Sequence, residues 1–261
     1  GVKAEHGFVS MIPANEKGFF ITWLDGRNTI EDTKDGHHKA MTIRFAEISD
    51  TGEILNESEL DAATCDCCQT SIAMTNDGPI VVYRDRSKEE LRDIYSTKYV
   101  DGKWKAATPV HQDGWKINGC PVNGPKVVAN STNVAVAWFT AANDTPLVNI
   151  SFSTSNGDTF NSPIQLNDLD AIGRVDVAFL NSTEVLVSYM EVDDIGTYLK
   201  VKKVSLDGKI SEAFTVSEID GGRNTGFPQL EIMKGEVFLV WTISIEGKNQ
   251  LKSVRLDSKN I

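Results

Sequence analysis

Four cysteines, Cys65, Cys67, Cys68 and Cys120, are the residues whose type and spacing most need a chemical account. The Cys-x-Cys-Cys run with one distant partner does not match the paired spacings of zinc sites. Thiolates with His6 or His111 nearby would suit a soft metal, copper or zinc. The same four thiols would also suit two disulfides, one of them a ring across Cys67-Cys68, or a single bridge with two free thiols. A second set is charged or polar: Asp25 with Arg27, Asp85 with Arg86, Arg174, Glu191 and Asn123. Carboxylates can exchange protons, and a guanidinium can donate two hydrogen bonds to one carboxylate. What such residues can do together depends on where the chain places them.

The elements that place them repeat. An apolar segment, a polar turn and a second apolar segment ending in an aromatic recur five times, with the aromatics at Trp23, Tyr83, Trp138, Tyr189 and Trp241. The intervals are 60, 55, 51 and 52 residues. A third alternating segment follows each hairpin, at 41–49, 92–100, 147–155, 199–205 and 251–257. In most units a Gly-containing turn and a more polar fourth segment come next. Period-2 alternation bounded by Asn, Asp and Gly predicts antiparallel strands, and helical periodicity is nearly absent. Four strands in units of about 50 residues predict an all-β chain of β-propeller blades. The units are drawn at 7–64, 65–114, 115–173, 174–222 and 223–261, in a single domain. The last stops after its third strand and only six residues precede the first, so one or more N-terminal blades of a six-bladed ring are expected to lie outside this stretch.

Propeller geometry puts the links between blades and the loops after each second strand on one face, around the channel. That face collects the cysteines and the charged set, together with Glu5, His6, Arg84, His111, Asp176 and Arg223. Cys120 opens one blade as Cys65, Cys67 and Cys68 open its neighbour, so it is expected within bonding reach of one of them. Tyr83 and Tyr189 hold the register position, where packing accounts for both. His37 and His38 fall in a polar excursion, 28–40, that reads as a loop.

The composition is that of a soluble globular protein, 40% hydrophobic and 24% charged. No apolar run is long enough to span a bilayer, so no membrane insertion is expected. A net charge of −11 disfavours nucleic-acid and anionic-membrane partners. Four cysteines are too few to build a disulfide scaffold.

Ser153-Thr154-Ser155-Asn156-Gly157-Asp158-Thr159-Phe160 resembles the Asp box, Ser-x-Asp-x-Gly-x-Thr-Trp, with Ser155 for the Asp and Phe160 for the Trp. Ser96 followed by Asp101-Gly102-Lys103-Trp104 is a looser echo. The stretches EHGFVS, CDCCQTS, VVYRDRS, DGWKINGCPVNGP, VAWFTAA and GRVDV are similar to a bacterial exo-alpha-sialidase subgroup of the sialidase-like, Asp-box repeat propellers. The resemblance implies an exported protein, periplasmic, outer-surface or extracellular. It implies an acidic-sugar ligand whose carboxylate is held by three arginines, here Arg27, Arg86 and Arg174, with Asn123 beside them. It also implies an acid/base carboxylate, here Asp25 or Asp85, with Glu191 a further catalytic candidate. No cofactor is expected beyond copper or zinc at the cysteines. Three functions compete: a glycoside hydrolase at the channel mouth, a non-catalytic glycan- or protein-binding propeller, and a cysteine-dependent metal-binding propeller. An acidic pair facing arginines in one pocket would mark the first. Aromatics without paired carboxylates would mark the second, and converging thiols the third.

Overall fold

A computed structural model describes residues 2–14, 17–29 and 40–261. His37 and His38 lie outside the described residues. The first sheet runs β1 (His6–Pro13), β2 (Phe19–Asp25), β3 (Met41–Ile48) and β4 (Ile54–Thr64) in that spatial order. The second holds β5 (Ser71–Thr75), β6 (Gly78–Arg84) and β7 (Ile94–Val100), with short β8 (Lys103–Trp104) and β9 (Thr108–Pro109) both pairing with β7. The third is β10 (Lys126–Asn130), β11 (Asn133–Thr140), β12 (Leu147–Ser153) and β13 (Ile164–Gln165). The fourth is β14 (Asp170–Asn181), β15 (Glu184–Val192), β16 (Thr197–Ser205) and β17 (Phe214–Glu218), and the fifth β18 (Gln229–Met233), β19 (Glu236–Ile245) and β20 (Lys248–Asp257). All pairings are antiparallel, and the only helical pieces among the described residues are three single 3₁₀ turns. The fourth sheet starts at Asp170, ahead of the boundary drawn at 173/174, because β14 bulges at Gly173 before it reaches its channel-facing stretch.

Packing makes these sheets blades. One hydrophobic cluster joins the first two sheets through Leu24, Phe45, Ile72 and Tyr83. A second joins the next pair through Ile80, Val82, Val127 and Trp138. Two more join the third to the fourth and the fourth to the fifth. Each sheet therefore gives one face to each neighbour, as a propeller requires. The middle second strands β6, β11 and β15 are buried on both faces, whereas β19 alternates buried and half-buried residues. The outer blades have one covered face; Val9 and Met11 of β1 and Leu251 of β20 are exposed.

The five aromatics stand one per second strand, each one residue after a channel-side pair: Ser10–Thr22, Ser71–Val82, Lys126–Ala137, Asp176–Ser188 and Gln229–Val240. The polar tips of Tyr83, Trp138 and Tyr189 reach the preceding blade, whereas Trp23 Nε1 donates to Asp25 on its own strand. The Tyr83 hydroxyl donates to Asp61 Oδ2 at 2.6 Å, and Trp138 Nε1 donates to Asp113 Oδ2 at 2.7 Å. The innermost strands β1, β5, β10, β14 and β18 neighbour one another in that order and line a central cavity of about 470 Å³.

Candidate functional site

Antiparallel pairing sets the end of each second strand beside the start of its first strand, so the link and loop residues share one face. Cys65 N donates to Arg84 O at 3.0 Å, which moors the Cys65–Cys68 link to the end of β6. Cys65 Sγ lies 3.2 Å from Cys68 Sγ and 3.9 Å from Cys67 Sγ. Cys65 and Cys68 are buried, Cys67 half-buried and Cys120 exposed. Hydrogen bonds from Cys67 and Cys68 pull the Cys65 thiol down, with Arg92 acting the same way. Burial, then the Cys65 sulfur, pushes Cys68 up to about 12. Cys67 also rises, through Cys65 and Cys68 first, and Cys120 is among the groups that act on it. His6 and His111 are elsewhere: His6 Nδ1 lies 3.3 Å from Asp25, and His111 Nδ1 lies 2.8 Å from Asp113.

A chain of charges leads out from the thiols. Arg92 NH1 is 3.1 Å from Cys65 Sγ, and Arg92 NH2 is 2.6 Å from Glu90. Glu90 pairs with Arg86 at 2.9 Å, and Arg86 pairs with Asp66 at 2.9 Å, inside the cysteine link itself. Beneath them sits Arg84, only 1% exposed. Its guanidinium donates to the carbonyls of Asn123, Arg92 and Phe139, lies 4.8 Å over the Trp115 ring, and hydrogen-bonds no carboxylate.

Asp85 follows directly on β6. Burial, then the charge of Asp61, raises its carboxyl to about 7, so it holds a proton into the neutral range. Asp25 is in the opposite state. Burial pushes its pKa up, but Arg27 donates three hydrogen bonds through N, Nε and NH2 and Trp23 adds a fourth, and these hold it well below the usual carboxylate range. Glu191 is fully buried, accepts from the backbone N–H groups of Asp168 and Leu169, and is paired with Lys200. Both carboxylates are engaged by cations and N–H groups of the protein itself.

Arg174 stands in a β-bulge of β14 with φ 51°, next to Gly173 at φ 87°. Bulges re-aim side chains, and this one aims Arg174 at a pocket of about 240 Å³. Cys120, Asn123, Arg223 and Phe227 line it too. Arg174 NH2 donates to the carbonyls of Gly221 and Gly222 at 3.0 Å each, and its Cζ lies 5.9 Å from the Phe227 ring centre. Burial lowers its pKa. Asn123 is oriented by the protein: Oδ1 accepts from Arg174 N at 2.8 Å and Nδ2 donates to Ile172 O at 3.0 Å, which leaves one N–H and one lone pair.

The three arginines thus keep separate company: Arg27 with Asp25 and Glu57, Arg86 with Asp66 and Glu90, Arg174 with backbone carbonyls and Phe227. The sequence reading passed over Asp61, Glu90, Arg92 and Phe227. Glu90 and Arg92 immediately precede β7, so the return of the third strand to the same face was the available signal. Phe227, in a link without alternation, offered none.

Neither a protein-family model nor a curated protein sequence matches the chain. Solved structures are similar to it at low identity. A polysaccharide lyase, an ulvan lyase solved bound to a GlcA(1-4)Rha3S unit, superposes with a TM-score of 0.62 at 12% identity, over 98% of this chain and 72% of that one. The fucose-specific lectin from Aleuria aurantia gives 0.56 at 8% identity, over 97% and 79%. An alpha-L-arabinofuranosidase from Podospora anserina gives 0.50 at 11%, over 97% and 90%. These likenesses establish the fold, a β-propeller.

Proposed function

We propose that this chain is a carbohydrate-active propeller that recognises an acidic sugar in the pocket of Arg174, Arg223, Asn123 and Phe227. The observation that carries the reading is Arg174, a partly buried guanidinium whose hydrogen bonds go to carbonyls and not to a carboxylate. The charge of Asp220 acts on Arg174 but makes no hydrogen bond to it; a sugar carboxylate would add a directly bonded anion, and the Phe227 ring offers an apolar face to the sugar. The pocket lining holds no carboxylate, which favours recognition over hydrolysis. The lyase's bound oligosaccharide and the lectin's fucose specificity support sugar binding at the level of shared fold.

A second reading is sialidase-like hydrolysis, in line with the sequence resemblance. It rests on Asp85, whose carboxyl at about 7 is suited to general acid work at neutral pH.

Calorimetry with sialyllactose and with a glucuronic acid oligosaccharide tests the first reading. Arg174→Ala should weaken binding by about 1.5–3 kcal/mol, roughly tenfold to a hundredfold. No binding of either ligand, or undiminished binding by the variant, would remove the proposal. Release of 4-methylumbelliferone from a sialoside, abolished by Asp85→Asn, would establish the second reading; binding without turnover would retire it.

A further inference from the structure

The cysteine link has the makings of a metal site that the glycan pocket does not use. The sulfurs of Cys65, Cys67 and Cys68 all lie within 4.8 Å of one another, and among the described residues no histidine or carboxylate joins the group. Three sulfurs about 2.3 Å from a shared ion stand about 4 Å apart if the ion is trigonal. The observed 3.9 Å separation matches that, the 3.2 Å one would have to open by roughly 0.8 Å, and both are well beyond the roughly 2.05 Å of a disulfide bond. An all-sulfur set selects soft ions over magnesium, calcium or manganese.

The surroundings are arranged for an anionic complex. Three thiolates about a monovalent cation leave two negative charges in excess. Arg92 donates to Cys65 Sγ at 3.1 Å, and the charge of Arg84 reaches Cys68. Arg84 is the second observation: a buried cation held by carbonyls and by no carboxylate keeps its full charge available to an anionic complex beside it. The link is also held in shape before any ion arrives. Asp66 Oδ1 accepts from Met41 N at 2.7 Å, and Gln69 Oε1 accepts from Gly124 N at 2.9 Å. A Cβ on Gly124 would fall 2.2 Å from the Gln69 carbonyl oxygen, so the two links are in direct backbone contact.

We propose that Cys65, Cys67 and Cys68 bind a single copper(I) ion as thiolates, releasing their protons to solvent. Zinc fits less well, because its structural sites take four ligands and Cys120 stands outside the mutual set of three. The half-buried Cys67 gives the ion a way in.

Titration of the reduced full chain with copper(I), in competition with the chelator bicinchoninate, measures uptake. X-ray absorption then reads the ligand shell. The expected result is stoichiometric uptake, with sulfur alone at about 2.3 Å. Cys67→Ser, a change at a partly exposed position, should lower affinity by more than about a hundredfold, beyond the loss of an outer-shell partner. Arg92→Gln should lower it about tenfold. Circular dichroism on each variant separates lost metal from lost fold. Uptake unaffected by Cys67→Ser would overturn the site. So would a four-sulfur zinc centre that excludes copper, or thiols that resist labelling until a reductant is added.

Discussion

At the scale of single residues, environment decides role more than residue type does. Asp25 and Asp85 both follow a second strand, yet Arg27 and Trp23 keep the first ionised while burial and Asp61 keep the second protonated. Asp85 therefore makes stability depend on pH. Its folded pKa of about 7 lies above the unfolded value near 3.9, so the native chain binds more protons between those limits. Stability should fall as pH rises from about 4 to 7 and level off above, by about 1–2 kcal/mol after a discount for partial exposure. Urea unfolding at pH 5 and pH 8 checks this. Asp85→Asn should flatten the difference and be the more stable protein at pH 8. An equal slope in both proteins would refute the assignment. The sequence put Arg27, Arg86 and Arg174 among the links and loops that share one face, because loop class follows from strand order. It could not show that Asp25, Asp66 and Glu90 would occupy the first two, since those pairings depend on side-chain reach across links and loops.

At the scale of elements, alternation in the sequence was enough to locate the hairpins, and the in-register aromatics were enough to count the blades. Trp23, Tyr83, Trp138, Tyr189 and Trp241 all stand on second strands, and in the last four the large ring closes the layer against the preceding blade. The short fourth strands were less legible: β8, β9 and β13 are two residues each, too short for any period. The polar tips of the aromatics were not legible at all, and they separate two otherwise similar tryptophans. Trp138 Nε1 donates to the buried Asp113 carboxylate, while Trp241 Nε1 is buried with no partner. Trp138→Phe should cost about 1–3 kcal/mol, because it leaves a charged acceptor short of a donor. Trp241→Phe should cost less than about 1 kcal/mol, because it removes an unsatisfied group along with some volume. Denaturant midpoints of the two variants would decide, and equal losses would mean the hydrogen bond adds nothing.

At the scale of the whole molecule, five blades are joined at the channel by one repeated contact. Ser10 Oγ accepts from Ile72 N at 3.3 Å, and Ser71 Oγ accepts from Val127 N at 3.1 Å. The equivalent residue in the third blade is Lys126, which has no acceptor to offer. Asp176 repairs the break: Oδ1 takes Val177 N at 2.9 Å and lies 3.6 Å from Lys126 Nζ, while Oδ2 takes Leu230 N at 2.9 Å. A single carboxylate thus serves two joints, and burial already raises its pKa. Each blade packs mainly on its neighbours, with Lys126 Nζ also reaching Gln229 Oε1 of the fifth blade at 3.4 Å, so damage should stay local, as in other stacked repeats. Lys126→Met removes the cation and should destabilise the protein by about 1–3 kcal/mol at pH 8. The loss should shrink as pH falls: burial raises the folded pKa of Asp176, so its ionisation is the costly state and the penalty grows with pH. Adding Asp176→Asn should restore only part of the loss: it removes the buried charge, but its single amide oxygen can accept from one of the two backbone N–H groups and not both. Hydrogen exchange gives the spatial test. The amides of Val177 and Leu230 should lose protection in Lys126→Met, while Ile72 and Val127 keep theirs. Uniform acceleration along the chain would show instead that the blades open as one unit and that the joint at Asp176 has no separate stability.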